Sequence, residues 1–202
     1  MLKRKQHSSR TSNTNRASGS IRIISGRWRG RKLPVHDAEG LRPTTDRIKE
    51  TVFNWLALDI PRSRCLDLFS GSGGLGFEAA SRGAEHVVML ELNKQAHTQL
   101  KQNAESLKAD NIELHHIDAL AYLNQTPTPL PFDVVFIDPP FRKDLLEETL
   151  TKLEQNGWLT KNAMIYIEAE KELSSLPTPA HWRLHRDKTA GQVTFKLYER
   201  EE

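Results

Sequence analysis

The chain has one cysteine, Cys65, among 202 residues. A lone thiol in an apolar stretch cannot form an intramolecular disulfide and lacks the clustered partners that a zinc site needs, so Cys65 reads as an inert core residue and no metal is expected. No apolar run approaches the length of a membrane span, and the N-terminus is polar where a secretory signal would be apolar. The cytoplasm is therefore the expected compartment. No internal repeat is visible. The length suits one α/β domain with a substantial core and is short for two, which makes one domain with an N-terminal appendage the economical count. Acidic residues are missing from one region only. Residues 1–36 hold ten Lys and Arg and no Asp or Glu, so against an overall net charge of +3 the rest of the chain carries −7. Residues 1–20, rich in Ser, Asn, Thr and base, read as a basic disordered arm that would gain from counterion release on a nucleic acid. The competing reading is a solubilising tail.

What is present is a recurring pattern of apolar runs that end in an acid. Cys65-Leu66-Asp67-Leu68-Phe69 runs into the glycine-rich turn Gly71, Gly73, Gly76 and then into a helical-looking segment, the strand, loop and helix N-terminus of a nucleotide-binding fold. The G-x-G-x-x-G spacing is a weak signal and leaves a dinucleotide site as the sharpest competitor. Asp67 separates the two readings. A carboxylate at that strand end repels a pyrophosphate but attracts the ammonium of a cofactor with an amino-acid end, such as S-adenosylmethionine. Val87-Val88-Met89-Leu90 ends in Glu91, placed to accept from two ribose hydroxyls, and Asp118 follows the alternating stretch from Ile112 to Ile117. A single such acid would more often be a solvated loop residue, but four in register mark the ligand edge of an open parallel sheet.

The fourth acid opens Asp138-Pro139-Pro140-Phe141, after Val134-Val135-Phe136-Ile137. Asp138 and the Pro139 carbonyl, fixed by two ring-locked φ angles, can both accept from an exocyclic amino group. Phe141 offers a stacking face for a base taken out of its helix. A strand followed by a proline-rich turn is the bland alternative.

These two motifs, Asp-Leu-Phe-Ser-Gly-Ser-Gly and Asp-Pro-Pro-Phe, resemble the class I S-adenosylmethionine-dependent methyltransferases that act on exocyclic amino groups of bases. Arg22-Ile23-Ile24-Ser25-Gly26-Arg27-Trp28-Arg29-Gly30-Arg31-Lys32-Leu33, then Leu41-Arg42-Pro43-Thr44-Thr45-Asp46-Arg47 leading into Glu50-Thr51-Val52-Phe53-Asn54-Trp55-Leu56, is similar to the bacterial 16S ribosomal RNA guanine-N2 methyltransferases of the RsmD type. The likeness runs from about Ile21 to Tyr198. Ser70 departs from the Ala of many relatives but keeps a small residue. The resemblance implies an α/β, Rossmann-like domain over residues 41–202 with a seven-stranded, mostly parallel sheet in the order 3-2-1-4-5-7-6, the last strand antiparallel. An N-terminal β-hairpin extension would occupy residues 21–40.

By that resemblance the cofactor is S-adenosylmethionine, held by Asp67, Phe69, Gly71, Gly73, Glu91, Leu92, Asp118 and Ala119, with Asp138, Pro139, Pro140 and Phe141 at the reacting base. The partner is 16S ribosomal RNA or the small subunit, met by a monomer. Arg27, Trp28, Arg29, Arg31 and Lys32 lie between the strand-like Ile21–Ile24 and Lys32–Val35, a hairpin that would present phosphate contacts and a stacking ring; Arg42 and Arg47 extend this basic set. Trp28 could instead pack under the hairpin as core. Adenine-N6 and cytosine-N4 of RNA or DNA offer the same motif an NH2, and an NAD-dependent oxidoreductase or a non-catalytic ribosome assembly factor are the remote alternatives. His115 and His116 read as structural or exposed.

Overall fold

Three short apolar runs, Arg64–Asp67, His86–Leu90 and Phe132–Ile137, become the buried centre of one sheet, because helices on both faces leave no side for polar residues. The computed structural model describes residues 19–35, 45–127, 130–140, 145–171, 173 and 176–201. The elements are β1 (Ser20–Arg22), β2 (Lys32–Pro34), α1 (Asp46–Trp55), β3 (Arg64–Asp67), α2 (Gly74–Ser81), β4 (His86–Leu90), α3 (Lys94–Leu107) and β5 (Ile112–His115), followed by α4 (Ala119–Leu123), β6 (Phe132–Ile137), α5 (Leu145–Gln155), β7 (Leu159–Glu170), β8 (Trp182–Ala190) and β9 (Val193–Arg200). The expected basic arm lies, save its last two residues, outside the described residues.

The seven-stranded sheet has the order β5-β4-β3-β6-β7-β9-β8. Counted from β3, this is the expected 3-2-1-4-5-7-6. Strands β5, β4, β3, β6 and β7 pair in parallel, and β9 runs antiparallel to both β7 and β8. The winding reverses between β3 and β6, so the carboxyl ends of β3, β4 and β6 surround the crevice where open α/β sheets bind ligands. One face of the sheet carries α1, α2 and α3 over Cys65, Val134, Phe136 and Tyr166; the other carries α4 and α5 over Leu66, Val135, Ile137 and Ile167.

Helix α1 starts where the Thr45 side chain accepts the Ile48 N–H at 3.4 Å. Its buried residues are Lys49, Val52 and Phe53, and Leu56, just past its end, is buried as well. The hairpin β1–β2 pairs Ile21 with Leu33 and lies along α2. Glu78 of α2, buried, accepts the N–H groups of Ile24 and Ser25 at 2.8 and 3.0 Å and pairs with Arg82 at 2.7 Å. At Gly26, φ is +80° and a Cβ would stand 1.8 Å from the Ser81 carbonyl oxygen, so only glycine allows this approach.

The closing hairpin β8–β9 is fastened to α5 through Glu154. Its carboxylate accepts from Trp182 Nε1 at 2.8 Å and from Arg200 Nε and Nη2 at 3.0 and 2.8 Å, with His181 at 3.1 Å. Burial alone would raise its pKa, but the Arg200, Trp182 and His181 donors outweigh that and bring it down to about 2. A folded-state pKa below the unfolded value stabilises the fold above the unfolded pKa, and the gain fades as pH falls towards the folded one. Glu154→Gln should therefore lower stability near neutral pH by about 2–3 kcal/mol, with the gap to the parent protein narrowing as pH drops below about 4.5. Denaturant titrations across that range check this; a gap that stays constant with pH would show that the ion pair is not its source.

Candidate active site

Asp67 is the last residue of β3, and its side chain is 2% exposed. One carboxyl oxygen accepts the Gly76 N–H at 3.1 Å. Burial raises its pKa to about 7; hydrogen bonds from Gly76 and Ser70 offset part of that rise, and the nearby Glu91 charge adds to it. The glycine-rich turn between them is tight, with the Gly73 N–H on the Ser70 carbonyl at 2.6 Å. At Gly73, φ is +82° and a Cβ would come within 2.6 Å of the Phe77 ring, so the turn and the docking of α2 both require glycine.

Glu91 follows β4 and ties down the turn from the other side. Its Oε2 accepts the Gly71 N–H at 2.8 Å and its Oε1 the Asn93 N–H at 2.6 Å. Each oxygen keeps a further lone pair for a ribose hydroxyl. Leu92, beside it, is 62% exposed. Phe69 is half-buried against the core and Ala119 is buried. Asp118 caps α4, accepting the Ala121 N–H at 3.0 Å, so one of its oxygens serves the fold and only the other is free for a ligand.

Asp138 immediately follows β6, with Pro139 and Pro140 after it. Phe141 and Arg42 lie outside the described residues. Burial, then the Glu168 and Asp67 charges, raise the Asp138 carboxyl well above the usual carboxylate range. Glu168, near the end of β7, is the site residue that the sequence reading missed. It is buried, its Oε2 accepts from the Tyr166 hydroxyl at 3.0 Å, and burial raises its pKa too. The signal was present: Ala163-Met164-Ile165-Tyr166-Ile167 is a further apolar run ending in an acid. Alternation puts Asp67 with Cys65, Asp138 with Phe136 and Glu168 with Tyr166, all on the face covered by α1 to α3. Among the described residues no cation is paired with any of these three carboxyls.

The hairpin cations are not brought to this edge. Arg27 donates its backbone N–H to Ser81, the last residue of α2, and its guanidinium pairs with Asp110 at 2.9 Å and with Asn111, just before β5. Arg31 reaches the Ser106 carbonyl, near the end of α3, at 3.3 Å. Both contacts lie at the amino end of the parallel strands, opposite the acids. Arg29 and Lys32 are exposed on the same hairpin. Trp28 is corrected from a stacking platform to a core residue: it is 9% exposed, its N–H is held by Ser81 Oγ at 3.0 Å, and Arg27 covers the ring from 4.1 Å. Arg47 differs. It is exposed on the first turn of α1, where the Lys49 side chain lies 3.7 Å from the place of a Gly74 Cβ, beside the turn.

The donor set fits S-adenosylmethionine. A buried carboxyl without a cation, at the glycine-rich turn, suits an ammonium; Glu91 suits vicinal hydroxyls; exposed Leu92 with Ala119 suits a flat heterocycle. No group of described residues could hold a metal ion, and no helix among them is long and apolar enough to cross a membrane.

A doubly wound sheet with antiparallel β9 inserted between β7 and β8, with this acid edge and Asp-Pro-Pro at its switch point, is a Rossmann-like class I methyltransferase. Residues 21–199 match the family described as Conserved hypothetical protein 95. Ribosomal RNA small subunit methyltransferase D of Escherichia coli is 55% identical over 185 residues, 91% of this chain and 92% of that protein, and its counterpart in Haemophilus influenzae is 50% identical over 188 residues, 92% and 97% of the two chains. The solved structure of the putative methyltransferase yhhF from Escherichia coli superimposes with a TM-score of 0.85 at 51% identity, covering 91% of this chain and 99% of that one. The chain belongs to the ribosomal RNA small subunit methyltransferase D family. The Thermus thermophilus 16S rRNA N2 G1207 methyltransferase (RsmC), solved with AdoMet and guanosine, shares the fold at a TM-score of 0.69 and 18% identity, over 91% of this chain and 50% of that one.

If the Asp67 carboxylate holds the cofactor ammonium, its raised pKa makes binding pH-dependent. Protonated Asp67 has no charge to offer an ammonium, so affinity for S-adenosylmethionine should fall as pH drops below about 7. Asp67→Asn should weaken binding by about 1–3 kcal/mol and flatten that dependence. Calorimetric titrations between about pH 5.5 and 8.5 test this; an affinity independent of pH in the parent protein would place the ammonium elsewhere.

Proposed function

We propose that the protein transfers the methyl group of S-adenosylmethionine to the exocyclic N2 of a guanine in 16S ribosomal RNA of the small subunit. The observation that carries this is Asp138: a half-buried carboxyl with no paired cation among the described residues, at the switch point beside Asp67 and followed by the fixed Pro139 carbonyl. A donor with two protons, an aromatic amine, satisfies both acceptors at once. The names of the relatives support ribosomal RNA of the small subunit as the substrate, and the choice of guanine N2 follows the family resemblance.

When bound, S-adenosylmethionine supplies an electrophilic methyl group on a sulfonium. Asp67 would hold its ammonium and Glu91 its ribose. Asp138 and the Pro139 carbonyl would draw the amine protons towards themselves, localising the nitrogen lone pair that the ring otherwise delocalises and aiming it at the methyl. Positioning and preorganised dipoles supply the rate, with no covalent intermediate on the enzyme. Phe141 would fix the ring plane.

The RNA backbone is assigned to cations at this same end of the sheet. Arg47 is exposed on the first turn of α1, and Arg186 and Lys188 on β8, opposite Leu197 and Phe195, lie on the sheet face that carries Asp138 and Glu168. The hairpin cations Arg27, Arg29, Arg31 and Lys32 would meet more distant RNA.

Incubating the protein with labelled S-adenosylmethionine and small-subunit RNA from cells lacking it should yield N2-methylguanosine on digestion and mass spectrometry. Labelled N6-methyladenosine or N4-methylcytosine instead would overturn the base assignment, and no label would overturn the substrate. Asp138→Ala should cut turnover by at least about 100-fold and leave cofactor affinity within a few-fold. Near-normal turnover would remove Asp138 from the reaction.

A further inference from the structure

His116 reads from the sequence as structural or exposed; the fold sets it between two loops at the ligand edge. The loop after β4 carries Glu91, Leu92 and Asn93, and the loop after β5 carries His116, Ile117 and Asp118. Each is fastened to its own helix. Asn93 Oδ1 accepts the Gln95 and Ala96 N–H groups at 2.9 and 3.0 Å at the start of α3, and Asp118 caps α4. Between the strands, the Glu91 N–H reaches the His115 carbonyl at 3.0 Å. One residue further on, the Leu92 carbonyl meets His116 Nε2 at 2.9 Å. A carbonyl only accepts, so this nitrogen carries the proton.

The donating ring is itself backed. His97, on α3, lies against it with ring centroids 5.3 Å apart and planes inclined by 30°. His97 bonds to the Leu114 backbone carbonyl through one nitrogen, and its Nε2 is buried with no partner among the described residues. Burial, then the nearby His116, keep its pKa below the usual histidine value. His115 is engaged elsewhere, with Glu113 at 2.8 Å and the Tyr122 ring. Leu92 is 62% exposed, so little packing fixes it, whereas Glu91 before it is tied to Gly71 and Asn93. A flat heterocycle between Leu92 and Ala119 needs the two loops at one spacing. The His116 bond sets it.

We infer that His116 is a positioning residue for the cofactor: its Nε2–H, clasped to the Leu92 carbonyl and backed by His97, holds the β4–α3 loop against the β5–α4 loop and keeps the nucleoside pocket formed in the free protein. The inference rests on the reading of Glu91 and Leu92 as the ribose and heterocycle side of the site. A pocket that is formed only part of the time binds more weakly in proportion to that fraction, although no contact with the ligand is deleted.

Calorimetry on the full chain at one fixed pH tests this with two ligands, S-adenosylmethionine and methylthioadenosine, which keeps the nucleoside and lacks the amino-acid end. Three variants separate the donor from the ring. Glutamine places an amide N–H near the reach of Nε2 without the ring, phenylalanine keeps a ring without the donor, and alanine keeps neither. His116→Phe and His116→Ala should bind both ligands at least about five-fold more weakly, with His116→Gln within about two-fold of the parent. Parent-like affinity in His116→Ala overturns the clasp. So does a His116→Phe protein as tight as the parent or a His116→Gln protein as weak as alanine, since either would show that the N–H is not what matters. A loss confined to S-adenosylmethionine would place the effect outside the nucleoside pocket and overturn it too. A melt identifies an alanine variant that merely fails to fold, and the phenylalanine and glutamine pair then decides. Glu91→Gln separates the inference from the reading beneath it. If Glu91→Gln weakens both ligands and the His116 variants do not, the clasp alone fails; if Glu91→Gln binds like the parent, the pocket lies elsewhere and the clasp falls with that reading. In ligand-free protein carrying 15N histidine, the neutral His116 ring should be the Nε2–H tautomer. The Nδ1–H tautomer would leave no proton for Leu92 and would overturn the inference without any ligand.

Discussion

Carboxyl groups converging on one buried sheet edge without matching cations are the constraint on which the rest of this structure turns. Parallel strands all end at the same edge, and alternation along β3, β6 and β7 sends Asp67, Asp138 and Glu168 to the same face. Each of them pays for burial with a raised pKa. An arrangement that breaks the rule that buried charges are paired persists where a ligand completes it. Here the missing charge is positive, which a cationic cofactor supplies and a dinucleotide pyrophosphate does not.

The structural acids show the contrast. Glu154 receives Arg200, Trp182 and His181, and its pKa falls to about 2. Glu78 receives two backbone N–H groups and Arg82. These residues fasten the two hairpins, β8–β9 to α5 and β1–β2 to α2, and so hold the outer parts of the fold against the central strands. The acids at the ligand edge have backbone donors or a tyrosine hydroxyl, and no cation among the described residues. The same side-chain type thus serves as anchor or as binding group according to what surrounds it.

Most of the fold was legible because it rests on local patterns. The apolar runs of β3, β4 and β6, the glycine-rich turn and the cap at Thr45 are written in consecutive residues, and the order of the strands followed from the family resemblance. Asp67, Glu91 and Asp138 were found because each ends such a run. Glu168 ends one too, but the run lies late in the chain and its neighbour Asp138 is about thirty residues away, a proximity that only the β6–β7 register creates. The hairpin was legible as a hairpin, yet its place was not. A basic, glycine-flanked Trp28 looks the same in sequence whether it faces RNA or Ser81 of α2, and the long-range contacts that bury it have no local signature.

The central claim, that this edge awaits a cation, is tested most directly by reading the Asp67 carboxyl itself. In protein labelled with 13C at the aspartate carboxyls, with Asp67→Asn to assign the resonance, a pH titration without cofactor should give a midpoint near 7, and saturating S-adenosylmethionine should drive it well into the acid range. A midpoint near that of an ordinary aspartate in the free protein, or one that stays put when the cofactor binds, would contradict the account.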